Sequence, residues 1–381
     1  MQKKTRLLLS GLLLFFGLFC VVAQAQDGIA VETGRPEFIE KMLEKTPEES
    51  RAEVAALLKL NDDQLLEAIS RRTFQYFWQE VNPRNGLIKD RSTVDSPSSI
   101  AAVGFGLSAI PVAVERGWIS YDDGYQRALT TLKSFARGKV EGRKGFYYHF
   151  VDMHYGKRVW NCELSSIDTA ILIAGGIVCG EYFKGTSVEK YANQLYEKID
   201  WQWMTNGEET LTMGWDPLQG FLRALWNGFN EGILATLLAI GSPTHPLSPE
   251  AWDQIYRPVK GGTYINLQDE VLFVYQYPLI WFDLREKEDR YANYWQNAIA
   301  AINYNRLFTR FNRGYQTYRG NIWGLSAGDG PTGYKAYGAF HDKHDGTIVP
   351  YASIASLPFT PEASMAAIRE MLAKFGPLVW G

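Results

Sequence analysis

Ser98-Ser99-Ile100-Ala101-Ala102-Val103-Gly104-Phe105-Gly106-Leu107 opens a run with no charged residue before Glu115. Glu163-Leu164-Ser165-Ser166-Ile167-Asp168-Thr169 opens a second, uncharged from Thr169 to Gly180. Between and after them lie stretches of a different kind. Tyr121 to Arg137 and Ser187 to Trp203 carry apolar residues at helical spacing with polar residues on the other face. Runs apolar all round belong inside a large fold, and amphipathic ones cover them. The alternation predicts inner and outer helices, the pattern of an (α/α) toroid; periodicity alone predicts a large all-α fold.

The same grammar extends in both directions. Asp62-Asp63 caps a helix through Leu65, Leu66, Ile69, Phe74, Phe77 and Trp78, which Asn82-Pro83 and Asn85-Gly86 end. Gly145 to Val151, Lys157 to Trp160 and Thr212 to Leu225 read as strand-like. Asn230 to Ile240, a short stretch after Ser248-Pro249, Leu267 to Phe282, Arg290 to Arg310, Pro350 to Leu357 and Pro361 to Phe375 read as helices. The Gly-rich stretch Gly314 to Gly346 reads mostly as loop. No repeat at a fixed solenoid period is present. No linker divides the body, so residues 61–381 are expected to form one domain. Residues 26–60 are expected to be a partly flexible N-terminal segment with a short helix.

The first residues address the compartment. Lys3, Lys4 and Arg6 precede an uncharged apolar run from Leu7 to Val22, and Ala23-Gln24-Ala25 follows. This is the form of a secretory signal cleaved after Ala25, and predicts a periplasmic or secreted protein without stable membrane insertion. Cys20 follows the bulky Leu18-Phe19, which disfavours lipidation. Cys162 and Cys179 remain after cleavage; both sit in apolar surroundings and read as buried thiols rather than a disulfide.

The 381 residues are 46% hydrophobic and 21% charged, which suits a large core and excludes wholesale disorder. Lys and Arg total 39 against 42 Asp and Glu, so the chain lacks the basic excess of a nucleic-acid binder. Its 12 Trp and 21 Tyr suit either a large aromatic core or surfaces that stack on sugar faces.

Familiar catalytic motifs are absent: no G-x-S-x-G, no H-E-x-x-H, no P-loop. His341 and His344, with Asp342 and Asp345, read better as a solvated loop than as a metal site, and neither metal nor cofactor is expected. What remains is carboxylates at element ends. Glu163 and Asp168 flank the start of an apolar helix, Glu231 opens another after Trp226-Asn227-Gly228-Phe229-Asn230, and Asp329 lies among glycines. Each alone is compatible with a helix cap, a first-turn acid or a tight turn. Together, beside Trp, Asn and Gly, they suit a cleft that protonates a glycosidic oxygen and activates water.

Longer motifs carry a resemblance. Gly86-Leu87-Ile88-Lys89-Asp90-Arg91, the Ser98 and Glu163 stretches quoted above, Val114-Glu115-Arg116-Gly117-Trp118 and Gly241-Ser242-Pro243-Thr244-His245-Pro246 recur in order. So do Trp226-Asn227 leading to Asn230-Glu231, Asn321-Ile322-Trp323-Gly324-Leu325-Ser326-Ala327 with Asp329-Gly330-Pro331, Ala336-Tyr337-Gly338-Ala339, and Asp345-Gly346-Thr347-Ile348-Val349-Pro350. From Asp62 to Gly381 the chain resembles the bacterial glucoamylase-like domain family and is similar to glycoside hydrolase family 144.

The resemblance implies an all-α (α/α)6 toroid with short β-hairpins near the cleft, and inverting hydrolysis of β-glucan, β-1,2-linked in preference to starch. It places Glu231, Asp168, Glu163 and Asp329 among catalytic candidates, with Glu231 the leading proton donor. Asp90, Arg91, Trp160, Trp226, Asn230, Trp323 and Tyr334 become sugar-contact candidates. The expected partner is an oligo- or polysaccharide, and a monomer is expected. The family runs on past the point where Leu378-Val379-Trp380-Gly381 stands, so a last helix pair, with a further acid, is expected to be missing. That leaves a non-catalytic glucan-binding protein as the alternative, and a polysaccharide lyase as a third reading, disfavoured because no Lys/Arg cluster adjoins the Trp-rich motifs.

Overall fold

A computed structural model describes residues 47–260, 264–265 and 271–379. The signal sequence, Cys20 and most of the N-terminal segment lie outside the described residues, as do Leu267 to Glu270. In chain order the elements are α1 (Pro47–Leu58), α2 (Asp62–Gln79), β1 (Ser98–Ser99), α3 (Ile100–Glu115), α4 (Tyr121–Ala136), β2 (Gly142–Arg143), β3 (Phe146–Tyr148), β4 (Phe150–Val151), β5 (Leu164–Ser165), α5 (Ser166–Tyr182) and α6 (Ser187–Glu197). There follow α7 (Trp201–Met204), β6 (Gly214–Asp216), β7 (Gly220–Phe221), α8 (Ile233–Ile240), α9 (Glu250–Asp253), β8 (Val259–Lys260), β9 (Tyr264–Ile265), α10 (Phe273–Gln276), α11 (Pro278–Trp281), α12 (Tyr294–Phe311), β10 (Ala327–Gly330), β11 (Gly333–Ala336), α13 (Pro350–Ala355) and α14 (Pro361–Val379). The chain folds into two compact units, with a boundary inside α2 after Thr73.

The first unit holds residues up to 73, 91–95 and 258 onward. Its core gathers Leu57 of α1, Leu65, Leu66 and Ile69 of α2, Ile354 of α13, Leu357, and Met365, Ile368 and Leu372 of α14. Burial of each such side chain contributes roughly 1.5–3 kcal/mol. Arg369 of α14 donates to Asp62 and to the Leu60 carbonyl, which fastens the helix to the turn before α2. The α12 side chain Asn305 accepts from Leu325 N at 3.0 Å and donates to Leu325 O at 3.1 Å, so a loop strand is held as a sheet neighbour would hold it.

The second unit holds residues 74–90 and 96–257. The two uncharged runs are α3 and α5, which pack against each other. Glycines permit the close crossing: a Cβ on Gly104 would lie 2.3 Å from Ile171 O, and one on Gly175 would lie 2.0 Å from Gly104 O. The amphipathic α4 and α6 pack on each other and on this pair, and α8 adds to α5. Ser99 and Ser165 cap the two inner helices through Ala102 N and Asp168 N. A five-stranded antiparallel sheet, ordered β2-β3-β5-β6-β7, runs straight into α5. β1 and β4 form a further pair.

Several elements differ from the reading of the sequence. Ser187 to Trp203 is two helices, because Asp200 accepts from Trp203 N at 3.0 Å and starts α7 afresh. The expected helix ending at Phe282 is, over the described residues, α10 and α11 broken at Pro278. Lys157 to Trp160 forms a single bridge, Val151 to Arg158, rather than a strand. Gly314 to Gly346 contains the β10–β11 hairpin. Cys162 and Cys179 are free thiols, and Cys179 Sγ donates to Leu107 O. No described helix is long and apolar enough to cross a membrane.

Candidate active site

The carboxylates of the second unit gather on a histidine. β3 and β5 pair with Tyr148 opposite Leu164, and the next position outward sets His149 against Glu163. His149 N donates to Glu163 O at 3.0 Å. His149 Nδ1 then stands 3.0 Å from Glu163 Oε1, and Nε2 stands 3.5 Å from Asp168 Oδ1. Asp168 lies on the first turn of α5, where its backbone N–H donates to Ser165 Oγ at 3.2 Å and its Oδ2 accepts from the same hydroxyl. Ser165 is thus the N-cap of α5, and its hydroxyl also holds the Asp168 carboxylate.

Burial works against a charge on His149. The Asp168 charge, the Glu163 hydrogen bond and charge, and the Asp90 charge overcome it and push the imidazole pKa up to about 9. Asp90, itself buried, thus belongs to the cluster electrostatically. For Glu163 burial again opposes ionisation, and the hydrogen bond and charge of His149 outweigh it, so its carboxyl stays below the usual range. Burial raises Asp168 despite the nearby His149 and Ser165, and the Glu163 charge adds to the rise. The cation shared between the two acids sits beneath a stacked ring, Phe150, at 3.9 Å between centroids.

Glu231 stands in the turn before α8, after Asn230, whose Oδ1 accepts from Gly232 N at 2.9 Å. Its side chain is half-buried, yet its carboxyl is closely surrounded. Burial pushes its pKa up to about 7, opposed by a bond to its own backbone N–H and reinforced by the Asp168 charge. A carboxyl with its pKa raised to about 7, in a cluster where a buried imidazolium keeps Glu163 ionised, is the pairing that acid–base hydrolysis requires.

Trp226 is buried rather than offered as a stacking surface. Its Nε1 donates to Ser166 Oγ at 2.8 Å, and Gly232 lets the indole approach, since a Cβ there would meet the ring at 2.5 Å. The residue therefore braces the Glu231 turn against the start of α5. Trp160 is the opposite case, an indole 65% exposed.

The remaining candidates belong to the first unit. Asp329 on β10 faces Tyr334 on β11, and its carboxylate accepts from Arg91 Nη1 at 2.8 Å. Trp323 is buried, with the Arg306 guanidinium 5.7 Å from its ring centroid, so it too is packed rather than displayed. His341 pairs with the adjacent Asp342 in an exposed loop, and among the described residues no group of His, Cys, Asp and Glu could hold a metal ion. Sequence reasoning missed His149. The one available signal was alternation in Tyr147-Tyr148-His149-Phe150, which places His149 beside a strand leading to Glu163.

Residues 224–381 match the Glycoamylase family model. The chain is 28% identical over 376 residues to an exo β-1,2-glucooligosaccharide sophorohydrolase (non-reducing end) of Parabacteroides distasonis, covering 87% of this chain and 52% of that one. The chain thus spans about half the length of the curated relative it matches. Among solved structures it is similar to a β-1,2-glucanase from Parabacteroides distasonis, with a TM-score of 0.77 and 27% identity over 84% of this chain and 52% of that one. It is also similar to an endo-β-1,2-glucanase from Chitinophaga pinensis in complex with sophorotriose and glucose, with a TM-score of 0.75 and 25% identity over 83% of each chain. The fold is that of these α/α-toroid glucanases.

Proposed function

We propose that this glycoamylase-like chain hydrolyses β-1,2-linked glucan by inverting acid–base chemistry, with Glu231 as the proton donor. The observation that carries this is the raised pKa of Glu231 next to carboxylates that His149 and Asp90 surround with fixed charge. The β-1,2 linkage comes from the activities of the similar proteins. In the proposed reaction Glu231 donates its proton to the glycosidic oxygen as the bond breaks, and water attacks the opposite face of the sugar. Glu163 is ionised and its side chain is 27% exposed, the state a base needs. Both Asp168 oxygens face partners, His149 and Ser165, which suits it to holding the imidazolium in place. Asp90, Asn230 and Trp160, all in the second unit, are proposed to contact substrate.

The test is product analysis after incubation with linear β-1,2-glucan and, separately, with starch and β-1,3-glucan. Short β-1,2-linked oligosaccharides with inverted anomeric configuration are expected from the first alone. Release from starch instead would overturn the linkage, and binding without release would favour a glucan-binding protein. The Lys3 to Ala25 segment supports export, which N-terminal sequencing of the periplasmic chain checks by finding Gln26 first.

A further inference from the structure

Beside the acid cluster, Trp160 and Asn161 are consecutive non-glycine residues in the left-handed region, at φ +55° and +50°. Such conformations each cost of order 1 kcal/mol and persist where the surroundings impose them. The surroundings here do so. Arg158 Nε donates to Cys162 O and Nη2 to Asn161 O, each at 2.5 Å, and the guanidinium is tied to Asp216. Arg158 and Asp216 are largely buried, at 15% and 12% side-chain exposure, and the guanidinium lies 5.0 Å from the Tyr148 ring centroid. On the other side, Val159 N donates to Phe150 O at 3.2 Å, and Phe150 N donates to Cys162 Sγ at 3.2 Å.

The product of this pinning is a displayed ring. Trp160 is 65% exposed, and the Phe150 ring lies against it at 5.0 Å between centroids. Phe150 in turn stacks on His149, which holds Glu163 and Asp168. An exposed indole linked to the acids through the Phe150 and His149 rings suits the apolar face of a pyranose. A core role would have buried the indole. Nor does local stability explain the strain, since a glycine at either position would relieve it.

We propose that Arg158 is a positioning residue that holds the strained Trp160–Asn161 turn, and that the turn exists to present the Trp160 indole as a stacking platform for one glucosyl ring of the substrate. The proposal rests on the glucan-hydrolase reading of the same site. Arg158 contributes through geometry: two carbonyls and one carboxylate demand the planar fork of a guanidinium, which an ammonium lacks.

The test measures steady-state kinetics on linear β-1,2-glucan, and retardation in native gels containing each glucan, for Trp160→Ala, Arg158→Lys and the double variant. Trp160→Ala is expected to raise KM about tenfold with kcat within about threefold, and to lose gel retardation. Arg158→Lys keeps the charge and is expected to raise KM by about fivefold. In the Trp160→Ala background it should add less than twofold, because the two act through one surface. A general structural role for Arg158 would lower kcat in both backgrounds instead. Unchanged KM and retardation in Trp160→Ala, or full additivity of the two substitutions, overturns the proposal while leaving the hydrolase reading intact. Retardation of the parent chain without cleavage, lost in Trp160→Ala, sustains the platform and removes the hydrolase reading. A parent chain that neither cleaves nor is retarded by any glucan removes both.

Discussion

Replacing Glu231 by Gln probes the proton on which the proposed chemistry turns. The side chain keeps its shape and loses its ability to titrate. Burial pushes the Glu231 pKa from 4.5 up to about 7, so about nine-tenths of the chains carry the proton at pH 6 and about one-tenth at pH 8. The alkaline limb of kcat/KM should therefore fall with an apparent pKa near 7. Loss of a general acid costs on the order of 10²–10⁴ in rate, so Glu231→Gln should fall at least about a hundredfold at pH 6.

The same shift has a stability consequence of fixed sign. The folded chain holds this proton more tightly than the unfolded one. The resulting stabilisation is complete below the unfolded pKa of 4.5 and is lost as pH rises through about 7. A rise of about 2.5 units corresponds to about 3 kcal/mol, and partial exposure of the side chain reduces what is felt between pH 5 and pH 8 to about 2 kcal/mol. Gln does not titrate, so Glu231→Gln should gain on the parent chain by a few °C in Tm between those two pH values. Paired thermal melts and rate profiles read both effects. Near-normal activity in the variant, or a Tm difference flat from pH 5 to pH 8, would refute the assignment.

His149→Asn removes the cation that Glu163 and Asp168 share, leaving buried acids without their partner, and should cost about 3–5 kcal/mol at neutral pH. The His149 pKa is raised to about 9, so its stabilisation is complete below 6.5 and lost as pH rises through 9; the parent's decline in Tm between pH 7 and 9 should be much smaller in the variant. Gly175→Ala would set a methyl 2.0 Å from Gly104 O, backbone against backbone. Although Ala favours a helix over Gly by about 1 kcal/mol, this variant should lose roughly 2–4 kcal/mol in urea unfolding, and a neutral result would show that the inner helices can separate.

The helices were legible because each signal was local. Asp62, Ser99, Ser120 and Ser165 stand at helix starts, and the charge-free stretches of α3 and α5 announce burial on all sides. The errors arose where a local pattern was overruled by one residue. Asp200 looked like a polar position on an amphipathic helix, and its carboxylate instead starts a new one. Trp226 and Trp323, which the resemblance makes sugar-contact candidates, are buried against Ser166 and Arg306 from other elements. Nothing within a few residues of either tryptophan carries that information.

The acids were legible as types and positions but not as states. Asp168 and Glu231 stand at helix starts and Glu163 just before β5, and as residue types the three carboxylates would ordinarily be alike. Their difference comes from His149, brought beside Glu163 by strand register and beside Asp168 by the first turn of α5. The imidazolium lowers Glu163, only partly offsets burial at Asp168, and is not among the charges acting on Glu231, which meets the Asp168 charge instead. One buried cation thus sets chemically similar acids apart, Glu163 lowered and Glu231 raised to about 7. The division depends on where the cation stops, since a second cation within reach of Glu231 would have ionised it and left the cluster without a donor.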